Sequence, residues 1–82
     1  MKTIIFTAAA ARQFDVLPQD ARDAIARALD AYAVTGEGDV KRLTGREAYR
    51  LRVGRYRVIF GGDAATVLVI YVGKRDEQTY RR

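Results

Sequence analysis

In residues 49–60, YRLRVGRYRVIF, hydrophobic and polar positions alternate with a period of two. Tyr49, Leu51 and Val53 fall on one side of an extended chain, Arg50 and Arg52 on the other. Gly54-Arg55 suits a two-residue type II′ turn, which wants Gly at its first central position. That turn sets a register in which Val53 faces Tyr56, Arg52 faces Arg57, Leu51 faces Val58, Arg50 faces Ile59 and Tyr49 faces Phe60. Every apolar residue of the first row then meets an apolar or aromatic partner, so the pattern supports the hairpin. A second turn is expected around Gly62-Asp63, leading into residues 65–72, ATVLVIYV. That run is apolar on both faces and suits a central strand ending at Gly73.

Upstream, the period changes. Residues 2–6, KTIIF, form a short β-prone run, and Thr7 is a good N-cap for a first helix over AAAARQF. In the next segment, Ala21, Ile25, Ala28, Leu29 and Tyr32 recur at helical spacing and form one stripe. Pro18 suits the first helical position, Asp20 and Asp23 suit the early turns, and Gly36 is the expected stop. Residues 37–48, EGDVKRLTGREA, read as a polar connector. The expected order is β-α-α-β-β-β. This is a single α+β domain over residues 1–82, with a four-stranded, mainly antiparallel sheet and both helices on one face.

Composition narrows the chemistry. The chain has 82 residues, 49% of them hydrophobic, enough for one small packed core. It has no Cys and no His, which excludes a disulfide framework, a thiolate metal site and the commonest general base. No metal or cofactor is expected. The N-terminal apolar stretch turns polar at Arg12, unlike a signal peptide. No run approaches the ~18 apolar residues of a spanning helix. A soluble, cytoplasmic protein is expected.

Charge is unevenly placed. Residues 1–39 carry four basic and six acidic side chains, and residues 40–82 carry eleven basic and four acidic, so net −2 and net +7 sum to +5. Positive charge gathered in one half is the footprint of a polyanion binder. An acidic protein would also fit. A membrane surface fits less well, because the basic half has strand rather than amphipathic-helix periodicity.

The hairpin focuses that charge. Arg50, Arg52 and Arg57 share the face away from the helices, and Arg52 stands opposite Arg57. Like charges directly across a strand pair destabilise by a few tenths to ~1 kcal/mol. The plain reading is that the long side chains diverge into water. The functional reading is that the guanidiniums await an anion, since their planar fork meets phosphate oxygens bidentately. Arg55 at the turn and Lys74, Arg75 and Tyr80 after the last strand are expected to add to this face. Cations and a phenol on one concave surface suit an RNA backbone and a stacked base.

YRLRVGRYRVIF, followed by YVGKRDEQTY, resembles the RelE branch of the RelE/ParE toxin superfamily over essentially the whole chain. The resemblance implies a toxin of a type II toxin–antitoxin pair, monomeric when free and bound in a hetero-oligomer by a cognate antitoxin. It implies a metal-independent endoribonuclease that cuts mRNA in the ribosomal A site. Arg57 matches an Arg that stabilises the pentavalent phosphate, Arg75 a second catalytic Arg, and Tyr80 a Tyr that stacks on the cut nucleotide. Arg50 and Arg52 stand where well-known members have Lys. Arg does not lose its proton, so phosphate binding carries over to them and a general-base role does not. The alternatives are a ParE-like toxin directed at DNA gyrase, whose relatives generally lack the GKR-to-Tyr segment as a set, and a non-catalytic nucleic-acid-binding module.

Overall fold

The structure, a computed structural model, describes residues 1–45 and 47–74. Its elements are β1 (Thr3–Phe6), α1 (Ala8–Asp15), α2 (Gln19–Thr35), β2 (Val40–Arg42), β3 (Tyr49–Val53), β4 (Tyr56–Gly62) and β5 (Thr66–Lys74). They build an α+β domain around one five-stranded sheet of order β1-β5-β4-β3-β2. Strand β1 runs parallel to β5, and the remaining pairs are antiparallel. The sheet thus has five strands, not four. The additional strand, β2, lies inside the expected polar connector and pairs Val40, Lys41 and Arg42 with Leu51, Arg50 and Tyr49. Three residues are too few to display a period, and only the partner strand stabilises them as a strand.

The hairpin forms in the expected register, from Tyr49 opposite Phe60 to Val53 opposite Tyr56. Gly54 has φ 59 and Arg55 has no positive φ, the pattern of a type II′ turn. Strand β5 lies between β1 and β4, as its two-faced apolar character requires. Its pairing with β4 shifts at Ile59/Phe60: Ile59 faces Tyr71 while Phe60 faces Val69, leaving Ile70 as the extra residue of a bulge. The strand runs on through Gly73 to Lys74, so Gly73 is a strand residue opposite Arg57 and does not end the strand.

Both helices start and stop on local chemistry. Thr7 Oγ1 accepts the Ala10 N–H at 3.1 Å and caps α1. Replacing Thr7 with Ala should cost about 1 kcal/mol. In a domain of this size, thermal unfolding should register that as a loss of roughly 4–8 °C. Pro18 is the residue before α2, with φ −57 and ψ 154, one position earlier than expected. Gly36 ends α2 at φ 77 in the left-handed region, where Gly is favoured, and its N–H donates to Tyr32 O at 2.8 Å.

The α2 stripe packs as its spacing requires. Ala21, Ile25, Leu29 and Ala33 are buried, and Ala28 and Tyr32 pack against the core. Opposite them lie Leu51, Val58, Phe60, Val67, Val69 and Val72 from the sheet. Phe60 is the aromatic hub: its ring centroid lies 5.0 Å from Tyr32 and 5.6 Å from Tyr49. Where β1 ends, the α1 side chain Gln13 takes over the exposed edge of β5, and its Oε1 accepts the Val72 N–H at 2.9 Å. No described helix is long and apolar enough to cross a membrane.

Candidate nucleic-acid interface

Because the helices cover the Leu51/Val58 side of the sheet, alternation turns Arg50, Arg52 and Arg57 to the open side. The pairings arrange that side in rows. One row runs Arg52, Arg57, Gly73 across β3, β4 and β5; the next runs Lys41, Arg50, Ile59, Tyr71 from β2 to β5. Arg52 and Arg57 therefore stand directly opposite each other, as the hairpin pattern predicts. The basic half of the face ends at Ile59, beyond which Leu68, Ile70 and Ile5 make it apolar; Ile5 and Ile70 are exposed.

The arginines are not splayed freely into water. The Arg50 side chain is 17% exposed and that of Arg52 is 37% exposed. Their common partner is Asp39, just before β2. Arg52 Nε donates to Asp39 Oδ2 at 3.1 Å, and Arg50 Nη2 lies 3.6 Å from Asp39 Oδ1. The Arg52 backbone N–H also donates to Asp39 O at 3.0 Å, which holds Asp39 level with Arg52. Arg50 Nε is shielded from water and has no hydrogen-bond partner among the described residues. Arg57 is partly buried, with Nε and Nη1 turned away from solvent. Guanidinium nitrogens withdrawn from water are strong donors toward an arriving anion, because a low local dielectric strengthens the contact.

Two expected members of the face lie elsewhere. Lys74 pairs with Tyr56, and Tyr56 packs against the core, so the register turns Lys74 to the helix side. There it lines a cleft with Gln13, Val16 and Leu17. Strict alternation from Gly73, which shares the Arg57 row, is the reason. Arg55, at the turn, is exposed and lines a groove with Pro18, Asp20, Ala21 and Ala24 beside the start of α2. Arg75 and Tyr80 lie outside the described residues.

Three residues of the face were not foreseen. Lys41 and Asp39 arrive with β2, whose pairing the sequence pattern does not reveal. Tyr71 stands one row from Arg57, and its hydroxyl lies where a Gly73 side chain would stand. Gly73 is thus the residue that lets the phenol settle beside the Arg57 row. The signal for Tyr71 was its spacing of two from Gly73, which puts both on one face. Among the described residues, no group of three or more His, Cys, Asp or Glu side chains could hold a metal ion.

No family model and no curated protein matches the chain. Solved structures do. The isolated RelE toxin of E. coli superposes with a TM-score of 0.81 at 19% identity, covering 99% of this chain and 92% of that one. The RelBE2 toxin–antitoxin complex of Mycobacterium tuberculosis gives 0.71 at 25% identity over 90% and 98%. The YoeB dimer of Staphylococcus aureus gives 0.75 at 15% identity over 93% and 98%. At such identities the likeness is one of fold, and the chain has the RelE toxin fold.

Proposed function

We propose that this protein is the toxin of a type II toxin–antitoxin system and an endoribonuclease that cleaves mRNA held in the ribosomal A site. The observation that carries the reading is the arginine trio. Arg50, Arg52 and Arg57 occupy adjoining positions on β3 and β4 of a RelE fold, on the face the helices leave open. In the proposed cleavage the RNA's own 2′-oxygen attacks the adjacent phosphorus while the P–O5′ bond breaks. The 2′-hydroxyl proton departs, the 5′-oxygen takes one up, and a 2′,3′-cyclic phosphate remains. Charge gathers on the phosphoryl oxygens, where fixed guanidiniums are most effective. Arg57, at the centre of the sheet, is the proposed catalytic residue of the described face. Arg75 and Tyr80 complete the set by sequence resemblance, and Arg50, Arg52 and Lys41 hold the phosphates on either side.

A chain without His is poorly equipped for proton transfer. That deficit favours a substrate already held in an in-line pose, as ribosome-bound message can be, over free RNA. The antitoxin is proposed as an acidic partner that covers the arginine face, consistent with the complexes in which RelE-fold toxins are found.

Two measurements test the reading. Binding to ribosomes or RNA should weaken steeply between about 50 and 200 mM salt, because several phosphates release their counterions. A flat response would remove the basic face as the binding surface. Ribosomes programmed with a defined message should yield cut message. Trapping of gyrase on DNA without RNA cleavage would favour the ParE-like alternative, and neither activity would leave a binding module.

A further inference from the structure

We infer that Asp39 is a resident anion of the arginine face: its carboxylate holds Arg50 and Arg52 in place and is displaced by an RNA phosphodiester on binding. It is a positioning residue, and it sets how tightly the face takes its ligand. The inference rests on the reading of this face as a phosphate site.

Sheet geometry supplies the first argument. The Arg52 N–H to Asp39 O bond and the β2–β3 ladder place Asp39 beside Arg52, on the side away from Arg57. Its two carboxylate oxygens address two different guanidiniums, Oδ2 toward Arg52 Nε at 3.1 Å and Oδ1 toward Arg50 Nη2 at 3.6 Å. A phosphodiester presents a similar pair of anionic oxygens to the same donors. The surroundings supply the second argument. Lys41 faces Arg50 and Arg52 faces Arg57, so two like-charge pairs lie side by side across the strands. Asp39 offsets that repulsion while the face is empty. It is also 56% exposed, so it can return to water when a ligand takes its place. Among the described residues, no other carboxylate forms an ion pair with Arg50 or Arg52.

A residue that only braced the fold would, on removal, lower stability and ligand affinity together. A displaceable anion predicts opposite signs. Asp39→Asn keeps an acceptor for Arg52 and removes the charge. The variant should melt at a lower temperature yet bind anions more tightly, by about three- to tenfold, the scale of two exposed ion pairs. Its salt dependence should steepen by about one further charge, a slope change of roughly 0.7 for a single strand. Asp39→Glu should restore the wild-type slope. In cleavage assays KM should fall for Asp39→Asn while kcat stays within a few-fold.

The experiment titrates wild type, Asp39→Asn and Asp39→Glu with two probes: a single-stranded RNA blocked by a 2′-deoxy residue at the cut site, and inorganic tripolyphosphate. Cleavage of ribosome-bound message is scored separately. Tighter binding of both probes by a folded Asp39→Asn supports the inference. Tightening in protein that cuts no message keeps Asp39 as the resident anion and removes the nuclease reading. Unaltered, weaker or undetectable binding of both probes by folded Asp39→Asn overturns the inference, even where wild type cuts message.

Discussion

Arg57→Ala should lower the rate of cleavage of ribosome-bound message by about 10²–10³-fold, the value of one well-placed donor to a developing oxyanion. The side chain projects from the second residue of β4, the central strand, between β3 and β5, opposite Arg52 on one side and Gly73 on the other. A central strand moves little, so the guanidinium is positioned before the substrate arrives, and no reorganisation is left for the moment of reaction. Stability should change little. The side chain lies on the open face, and its removal also relieves the like-charge pairing with Arg52. Arg57→Lys should recover only part of the rate, because Lys restores charge without the planar fork. Single-turnover cleavage by wild type and both variants, with thermal melts as the folding control, reads all three. A folded Arg57→Ala that cuts at the wild-type rate would dismiss this residue from the chemistry.

Phe60→Ala should destabilise the fold by about 3–5 kcal/mol, a large share of the 5–15 kcal/mol that holds an ordinary domain together. Phe60 is 2% exposed, lies between the rings of Tyr32 and Tyr49, and follows the register shift that creates the bulge at Ile70. Its loss would remove buried area and leave a cavity that β4, paired on both sides, cannot collapse to fill. It would also remove the ring that Tyr32 of α2 packs against on the sheet. Denaturant unfolding should show a much lower midpoint, and cleavage should fall in proportion to the folded fraction. Phe60→Leu, which keeps more of the volume, should cost substantially less.

The parts of the molecule legible in the sequence are those written in local pattern. A period of two and a Gly at the first turn position specify the β3–β4 hairpin, and hence Arg52 opposite Arg57. A period of 3.6 ending at Gly36 specifies α2, and Thr7 as an N-cap marks the start of α1. What escaped depends on contacts between distant segments. Val40–Arg42 becomes a strand only because β3 offers it an edge, and that pairing is what delivers Asp39 and Lys41 to the face. Likewise Gly73 looked like a stop, yet pairing with Arg57 keeps β5 extended through it. The extra residue at Ile70 decides which side Tyr71, Gly73 and Lys74 present, and a bulge leaves no mark in hydropathy when the run is apolar on both faces. An open face carrying arginines was therefore readable, but the carboxylate that occupies it was not.

RNA cleavage by 2′-oxygen attack at the arginine face is tested most directly by the chemistry of the product ends. Ribosomes programmed with a defined message are incubated with the wild-type protein without divalent-metal supplementation beyond what the ribosome needs, and the upstream fragment is weighed by mass spectrometry. The expected product is a fragment ending in a 2′,3′-cyclic phosphate, cut at the A-site codon and formed far more slowly with Arg57→Ala. Intact message, or fragments bearing a free 3′-hydroxyl and a 5′-phosphate, would contradict it.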